Sequence, residues 1–177
     1  MKTMRLFLAV SIIVSAIILS VGCTKQSVDT TKSTDLTLSG FGSAGALADE
    51  DLTLEKMMNY AMQDEYAARA EYEAIMKEYG EQSPFDNIMQ AEETHIASLT
   101  ALFETYGYSV PEDTSAEHVV LPASLKEAYQ TGVDAEIANI AMYEKFLSYD
   151  IPKDAAQVFT SLMKASQNHL EAFRSHL

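Results

Sequence analysis

The sequence predicts an all-α domain, a four-helix bundle with a long crossover between the second and third helices. Three observations carry this expectation. From residue 53 onward apolar residues recur in alternating steps of three and four, with none of the every-other-residue pattern of strands. Glycine and proline interrupt that pattern at places that leave four long segments. One connection, residues 107–123, is far longer than a turn needs to be.

The first helix is expected over 53–79, with an inward stripe of Leu54, Met58, Ala61, Glu65, Ala68, Tyr72, Ile75 and Tyr79; Gly80 and Ser83-Pro84 end it. The second, 85–106, turns Phe85, Ile88, Glu92, His95, Leu99, Leu102 and Tyr106 inward and closes at Gly107. The connection that follows contains Pro111 and Pro122. Its extended reach is about 55 Å, against about 35 Å for a 23-residue helix, so it can run the full length of a bundle and let helices 2 and 3 point the same way. An up-down bundle with a slack loop is the alternative. The third helix, 124–148, carries Tyr129, Val133, Glu136, Ile140, Tyr143 and Leu147; the fourth, 153–176, starts near Pro152 and carries Ala155, Phe159, Leu162, Ser166, His169, Phe173 and His176.

Composition bounds the function. A length of 177 residues suits one domain. With 12 Lys plus Arg against 26 Asp plus Glu, the net charge of -14 excludes a nucleic-acid partner and favours cations. The single cysteine excludes an internal disulfide and every multi-thiolate metal site, so a metal here must be held by Glu, Asp and His.

Ahead of the bundle, Lys2 and Arg5 precede an apolar run from Leu6 to Leu19, and small residues lead to Cys23. This is the layout of a secretory signal, and the run is short for a membrane span. The stretch LSVGCT resembles a bacterial lipoprotein signal, with Ser20 at the position where that family usually has Leu. The resemblance implies that residues 1–22 are a signal peptide, that Cys23 is acylated, and that the protein sits in the cell envelope, outside the cytoplasm, attached to a membrane through its lipid. Residues 23–52, rich in Ser, Thr, Gly and Asp and without helical or strand period, read as a flexible tether. Loss of Lys2 and Arg5 leaves 10 basic against 26 acidic residues, a charge of -16 that anionic lipid repels, which favours acyl attachment over electrostatic binding.

Every seam is apolar except near its middle. Glu65, Glu92 with His95, Glu136, and Ser166 with His169 lie close to the midpoints of their helices, and midpoints stay level whichever way each helix points. A lone carboxylate in such a layer costs several kcal/mol, and a divalent cation bound by Glu oxygen and His nitrogen removes that penalty. The three-residue step places Glu92 and His95 on one face and turns Glu93 away. The alternative is a buried Glu and His hydrogen-bond network, or, for Glu65, an ordinary ion pair with Arg69 at i+4. Glu144, His118 and His176 read as non-ligands, and Tyr72 and Tyr143 as core packing rather than as redox groups.

Glu on helix 1, ExxH on helix 2, Glu on helix 3 and ExxH on helix 4 is the carboxylate-bridged di-iron or di-manganese pattern of ferritin-like proteins, including rubrerythrins and bacterioferritins. Residues 53–176 resemble that family. Glu65, Glu92, His95, Glu136 and His169 match its ligands position by position, and Ser166 stands where the family has a fourth Glu. The segments EETHIASL and SQNHLEAF resemble a functionally uncharacterised branch whose members also have Ser there. The resemblance implies a ferritin-like bundle that binds one or two iron or manganese ions and oxidises Fe(II) or reduces peroxide. Three Glu leave a two-metal site at +1 and a one-metal site at -1, so a pair needs an added anion as bridge, and the short Ser leaves room for water or an external ligand. The competing expectation is a non-enzymatic envelope binding or stress protein with a structural metal such as zinc, or none.

Overall fold

The computed structural model describes residues 40–177, and among them every regular element is helical. These are α1 (Gly42–Ala48), α2 (Leu54–Tyr79), α3 (Phe85–Tyr106), a 3-10 turn (Ser115–Glu117), α4 (Leu125–Leu147) and α5 (Lys153–Arg174). Local chemistry sets the ends of the long helices. Thr53 Oγ1 accepts from the Lys56 N–H at 3.3 Å, and Ser124 Oγ accepts from the Glu127 N–H at 3.2 Å. The Glu127 carboxylate returns to the Ala123 N–H at 3.1 Å, a variant of the capping box. Gly107 ends α3 in the left-handed region at φ 69°, which only glycine adopts at no steric cost.

Helix α2 pairs with α3 and α4 with α5, and the two pairs close through α2 on α4 and α3 on α5. Contacts at the ends give the direction of each helix. The Tyr129 hydroxyl, near the start of α4, donates to the Ser83 carbonyl at 3.3 Å, and its ring stacks on Phe85 at 5.3 Å. At the opposite end the Tyr106 hydroxyl donates to Asp154 at 2.6 Å. Helices α3 and α4 therefore start at the same end and run in parallel, and the 107–124 connection returns along the whole bundle. Its 3-10 turn packs on α2, and Arg69 ties it there through Asp113 at 2.6 Å.

Two apolar clusters make up the core. One contains Met57, Met58, Leu99, Phe103, Tyr143, Phe146 and Phe159; the other contains Tyr72, Ile75, Phe85, Tyr129, Val133 and Phe173. Apart from Ser115 in the 3-10 turn, the buried polar residues among those described, Glu65, Glu92, His95, Glu136, Asn139, Ser166 and His169, come from four helices at the level between these clusters.

One expectation is corrected. Residues 23–52 read as a tether, yet Gly42–Ala48 form a helix packed on α2 and α4. Its buried face is Gly42, Gly45 and Ala46, too small to register as an apolar period. A Cβ on Gly45 would lie 2.5 Å from the Gly40 carbonyl carbon and 2.7 Å from the Tyr60 ring, so the sequence here is small because α1 sits that close. Both ends are clamped. The Gly42 and Ser43 N–H groups donate to Gln63 at 3.1 Å and Asp64 at 2.7 Å, and Lys145 Nζ donates to the carbonyls of Ala46, Leu47 and Asp49 at 2.7 to 3.1 Å. The expected signal peptide at 1–22, the expected acylation site Cys23 and the expected tether as far as residue 39 fall outside the described residues. Among the described residues no helix is long and apolar enough to cross a membrane.

Candidate metal centre

All five predicted ligands are buried and meet in one layer, at 3 to 9% exposure. Each comes from the middle of its helix, where the three-four spacing turns it inward with its apolar neighbours. They form two trios, Glu65–Glu92–His95 and Glu92–Glu136–His169, and within each trio one donor atom per residue lies within 4.8 Å of the others. Glu92 belongs to both. Its Oε2 is 2.7 Å from His95 Nδ1, while its Oε1 is 3.4 Å from His169 Nδ1. One carboxylate thus presents one oxygen to each trio, the posture of a bridging ligand. Glu65 Oε2 faces His95 Nδ1 at 3.0 Å, Glu136 Oε1 faces His169 Nδ1 at 3.3 Å, and the two imidazole rings lie 5.7 Å apart.

The two tyrosines read as packing do more than pack. Tyr143 donates its hydroxyl to Glu65 Oε1 at 2.6 Å and Tyr72 donates to Glu136 Oε1 at 3.3 Å. The Tyr143 bond leaves Glu65 Oε2 turned to the centre. The Arg69 pairing considered for Glu65 does not form, because Arg69 reaches Glu93 at 3.0 Å and Asp113 at 2.6 Å instead. Glu93 and Glu144 are exposed as expected; His118 packs at a tilt against Phe41, and His176 is exposed beside Tyr129.

Ser166 is buried, and its hydroxyl donates to Asn139 Oδ1 at 2.6 Å. Asn139 Nδ2 in turn donates to Asp64 Oδ2 at 2.5 Å. The row Ser166–Asn139–Asp64–Ser43 links the centre to the first turn of α1. Asn139 and Asp64 were not singled out in the sequence. Asn139 had a signal, since it stands three residues after Glu136 on the same face, whereas Asp64 had none. A void of about 20 Å³ lies between Ser166 and Glu65, Glu92 and Glu136, room for one water-sized ligand.

Electrostatics are those of acids packed without cations. Burial, then the charge of Glu65, pushes the Glu92 carboxyl well above the ordinary range. Burial acts upward on Glu65 too, but the hydrogen bonds from Glu92, His95 and Tyr143 outweigh it and hold its carboxyl low. Without metal, Glu92 keeps its proton and shares it with an ionised Glu65. Burial lifts the Asp64 carboxyl to about 6 against the bonds from Asn139 and Ser43.

The decisive mismatch is at His169. Its Nδ1 is buried and has no hydrogen-bond partner, although two carboxylate oxygens lie 3.3 and 3.4 Å away. An orphaned buried nitrogen costs about 1–3 kcal/mol. Facing two acceptors without a bond to either, it suits an ion placed among the three. The residues present therefore fit a metal, and the buried Glu and His groups can hold one; their O and N donors suit iron, manganese and zinc alike.

No family model matches the chain. Residues of this chain are 28% identical to an uncharacterized protein of Methanocaldococcus jannaschii, MJ0754, over 104 residues, which is 50% of this chain and 56% of that protein. The chain thus spans little more than half the length of this relative. The crystal structure of the hypothetical protein MJ0754 superposes with a TM-score of 0.62 at 23% identity, covering 71% of this chain and 81% of that one. The likeness is one of fold.

Proposed function

We propose that this protein is a ferritin-like, lipid-anchored metal protein of the cell envelope that binds one or two iron or manganese ions and uses them to oxidise Fe(II) or reduce peroxide. One observation carries the metal: the unpartnered His169 Nδ1 beside Glu92 and Glu136, mirrored by His95 beside Glu92 and Glu65. The parallel α3 and α4 with a full-length crossover support the ferritin-like reading, as does the match of five ligand positions. The lipid anchor rests on Lys2, Arg5, the apolar run and Cys23.

Bound iron supplies one-electron exchange between its ferrous and ferric states, and peroxide reduction to two waters takes two such electrons with two protons. The chain does the rest. Glu92 belongs to both trios and would be shared between them, and Glu65 and Glu136, oriented by Tyr143 and Tyr72, would hold the metal with it. Release of the Glu92 proton accompanies binding, so uptake strengthens as pH rises. Three carboxylates and two divalent ions would carry a charge of +1, and the void at Ser166 has room for the one hydroxide that would neutralise it. The apolar clusters above and below keep bulk water out.

The test is metal content after anaerobic loading with Fe(II), followed by spectra on addition of oxygen or peroxide. Binding of one to two ions, lost in His95→Ala, and a ferric spectrum on oxidation support the reading. No bound metal, or equal binding in His95→Ala, overturns it. Retained metal without oxidation, or a preference for zinc, assigns the site a structural role. For the anchor, a Cys23→Ser protein that still fractionated with membranes would contradict lipidation.

A further inference from the structure

The centre must communicate with solvent, and the cavities differ in how they meet it. The void at Ser166 has room for no more than about one water. A groove of about 660 Å³ between α2 and α3 displays Arg69 and Lys77 among the carboxylates of Glu73, Glu81, Asp86 and Glu93, but it touches none of the five candidate ligands and so gives no way to the centre. A third cavity, about 550 Å³, lies between α3 and α5, and its wall includes His95. His95 turns Nδ1 inward to Glu65 and Glu92, so its ring separates that cleft from the first trio.

The polar atoms of the cleft select what enters. Thr94, Ser98 and Thr105 spend their hydroxyl protons on the carbonyls of Gln90, Thr94 and Ala101, at 3.4, 2.9 and 2.8 Å. Their oxygens therefore offer lone pairs outward. Asp154 adds a carboxylate, fixed by the Tyr106 hydroxyl and the Ala155 N–H at 2.6 and 3.0 Å. No Lys or Arg lines the cleft. Gln157 and Ser161 add an amide and a hydroxyl, but the wall's only charge is the Asp154 carboxylate, which disfavours anions and suits a species that presents O–H donors under positive charge. A hydrated divalent ion is such a species, and six waters at about 30 Å³ each occupy about 180 Å³, well within the cleft.

We infer that the cleft between α3 and α5 is the port by which a hydrated divalent cation reaches the His95 side of the centre, received by the oxygens of Thr94, Ser98 and Asp154. The inference rests on the metal-binding reading and adds the route. Asp154 sits in the first turn of α5 and acts from the wall of the cleft; it is not a ligand of the bound ion. Passage past His95 brings the ion to Glu65 and Glu92, and the second trio fills beyond it.

The experiment is the rate of Co(II) loading into the full-length protein, followed by visible absorption in stopped flow, with final stoichiometry measured separately. Ser98→Trp and Ser161→Trp plug the cleft from its two walls; Ser161→Ala leaves it open, and Glu73→Trp places the same bulk in the α2–α3 groove. Loading is expected to slow at least tenfold in the two plugged variants with unchanged stoichiometry, and to match wild type in the two controls. Because the native chain has no tryptophan, the new indole at 98 or 161 is also the sole tryptophan, excited selectively over the tyrosines and quenched as the ion passes. Asp154→Asn, which adds no bulk, decides the matter if the plugged variants lose helicity. It is expected to load about threefold more slowly, with a weaker dependence on ionic strength. Plugged or Asp154→Asn proteins that load within the error of wild type overturn the port while leaving the metal site standing. A wild type that binds no Co(II) overturns both.

Discussion

Glu92→Gln separates the metal-binding role of the central carboxylate from any structural one. Glu92 is 3% exposed and shared by both trios. In the metal-free protein its carboxyl is already neutral, because burial and then the charge of Glu65 push it well above the ordinary range. An amide of the same shape also brings N–H donors to Glu65. The variant should therefore match the metal-free wild type to within about 1 kcal/mol. With metal the two diverge. At a hundredfold excess over Kd an ion bound only by the folded state adds about 2.7 kcal/mol. At about 3 °C per kcal/mol for a domain of this size, the wild-type melting temperature rises by about 8 °C. Glu92→Gln lacks the charge and the second anionic oxygen that both trios need, and its shift should fall below about 2 °C. Calorimetry with and without Mn(II) reads all four numbers. An equal metal-induced shift in the two proteins would refute the shared-ligand geometry, and a metal-free variant that fails to fold would refute the claim that Glu92 is neutral there.

Ser166→Glu restores the fourth carboxylate, but the void beside it is about 20 Å³ and Asn139 stands opposite, so the metal-free protein should melt lower and gain more from Mn(II) than wild type; equilibrium binding should show two ions per chain. Glu71 is half-buried, and burial lifts its carboxyl from 4.5 to about 7, so its contribution is neutral below 4.5, grows more destabilising as pH rises from 4.5 towards 7, and is at its full size above 7. The ceiling is about 3 kcal/mol, and with solvent contact about 1 is expected; urea titrations of Glu71→Gln should show that gain at pH 8 and none at pH 4. Gly45→Ala drives a methyl into the Gly40 backbone and the Tyr60 ring and should release α1 without unfolding the bundle, read as new protease cleavage before residue 54 while the far-UV spectrum of the four long helices persists.

The long helices were legible because their inward stripes are continuous and their ends are chemically marked: Thr53, Ser124 and Gly107 place boundaries that the structure keeps within two residues. The five candidate ligands were legible for a related reason, as acids and imidazoles at seam positions where only apolar residues belong. What was hidden depends on neighbours far apart in the chain. Helix α1 buries glycine and alanine, which leave no hydrophobic signature, and its fit depends on Tyr60 and Lys145. Tyr72 and Tyr143 look like core residues because their rings are; what sets them apart is the atom at the tip, and the carboxylate it reaches is 64 or 78 positions away. Ser166 was read as an open space, and its hydroxyl proves to be committed to Asn139, a partner 27 residues earlier.

The polar layer also acts as a registration key. A helix that slipped by one turn, about 5.4 Å, would carry its carboxylate or imidazole out of the layer and into one of the two apolar clusters. Apolar seams of Met, Leu and Phe tolerate such sliding, since one large side chain replaces another at little cost. Four helices each bearing one polar notch at the same height tolerate only one alignment. The residues that make this protein a candidate to hold metal are thus the ones that tell its helices where to stop.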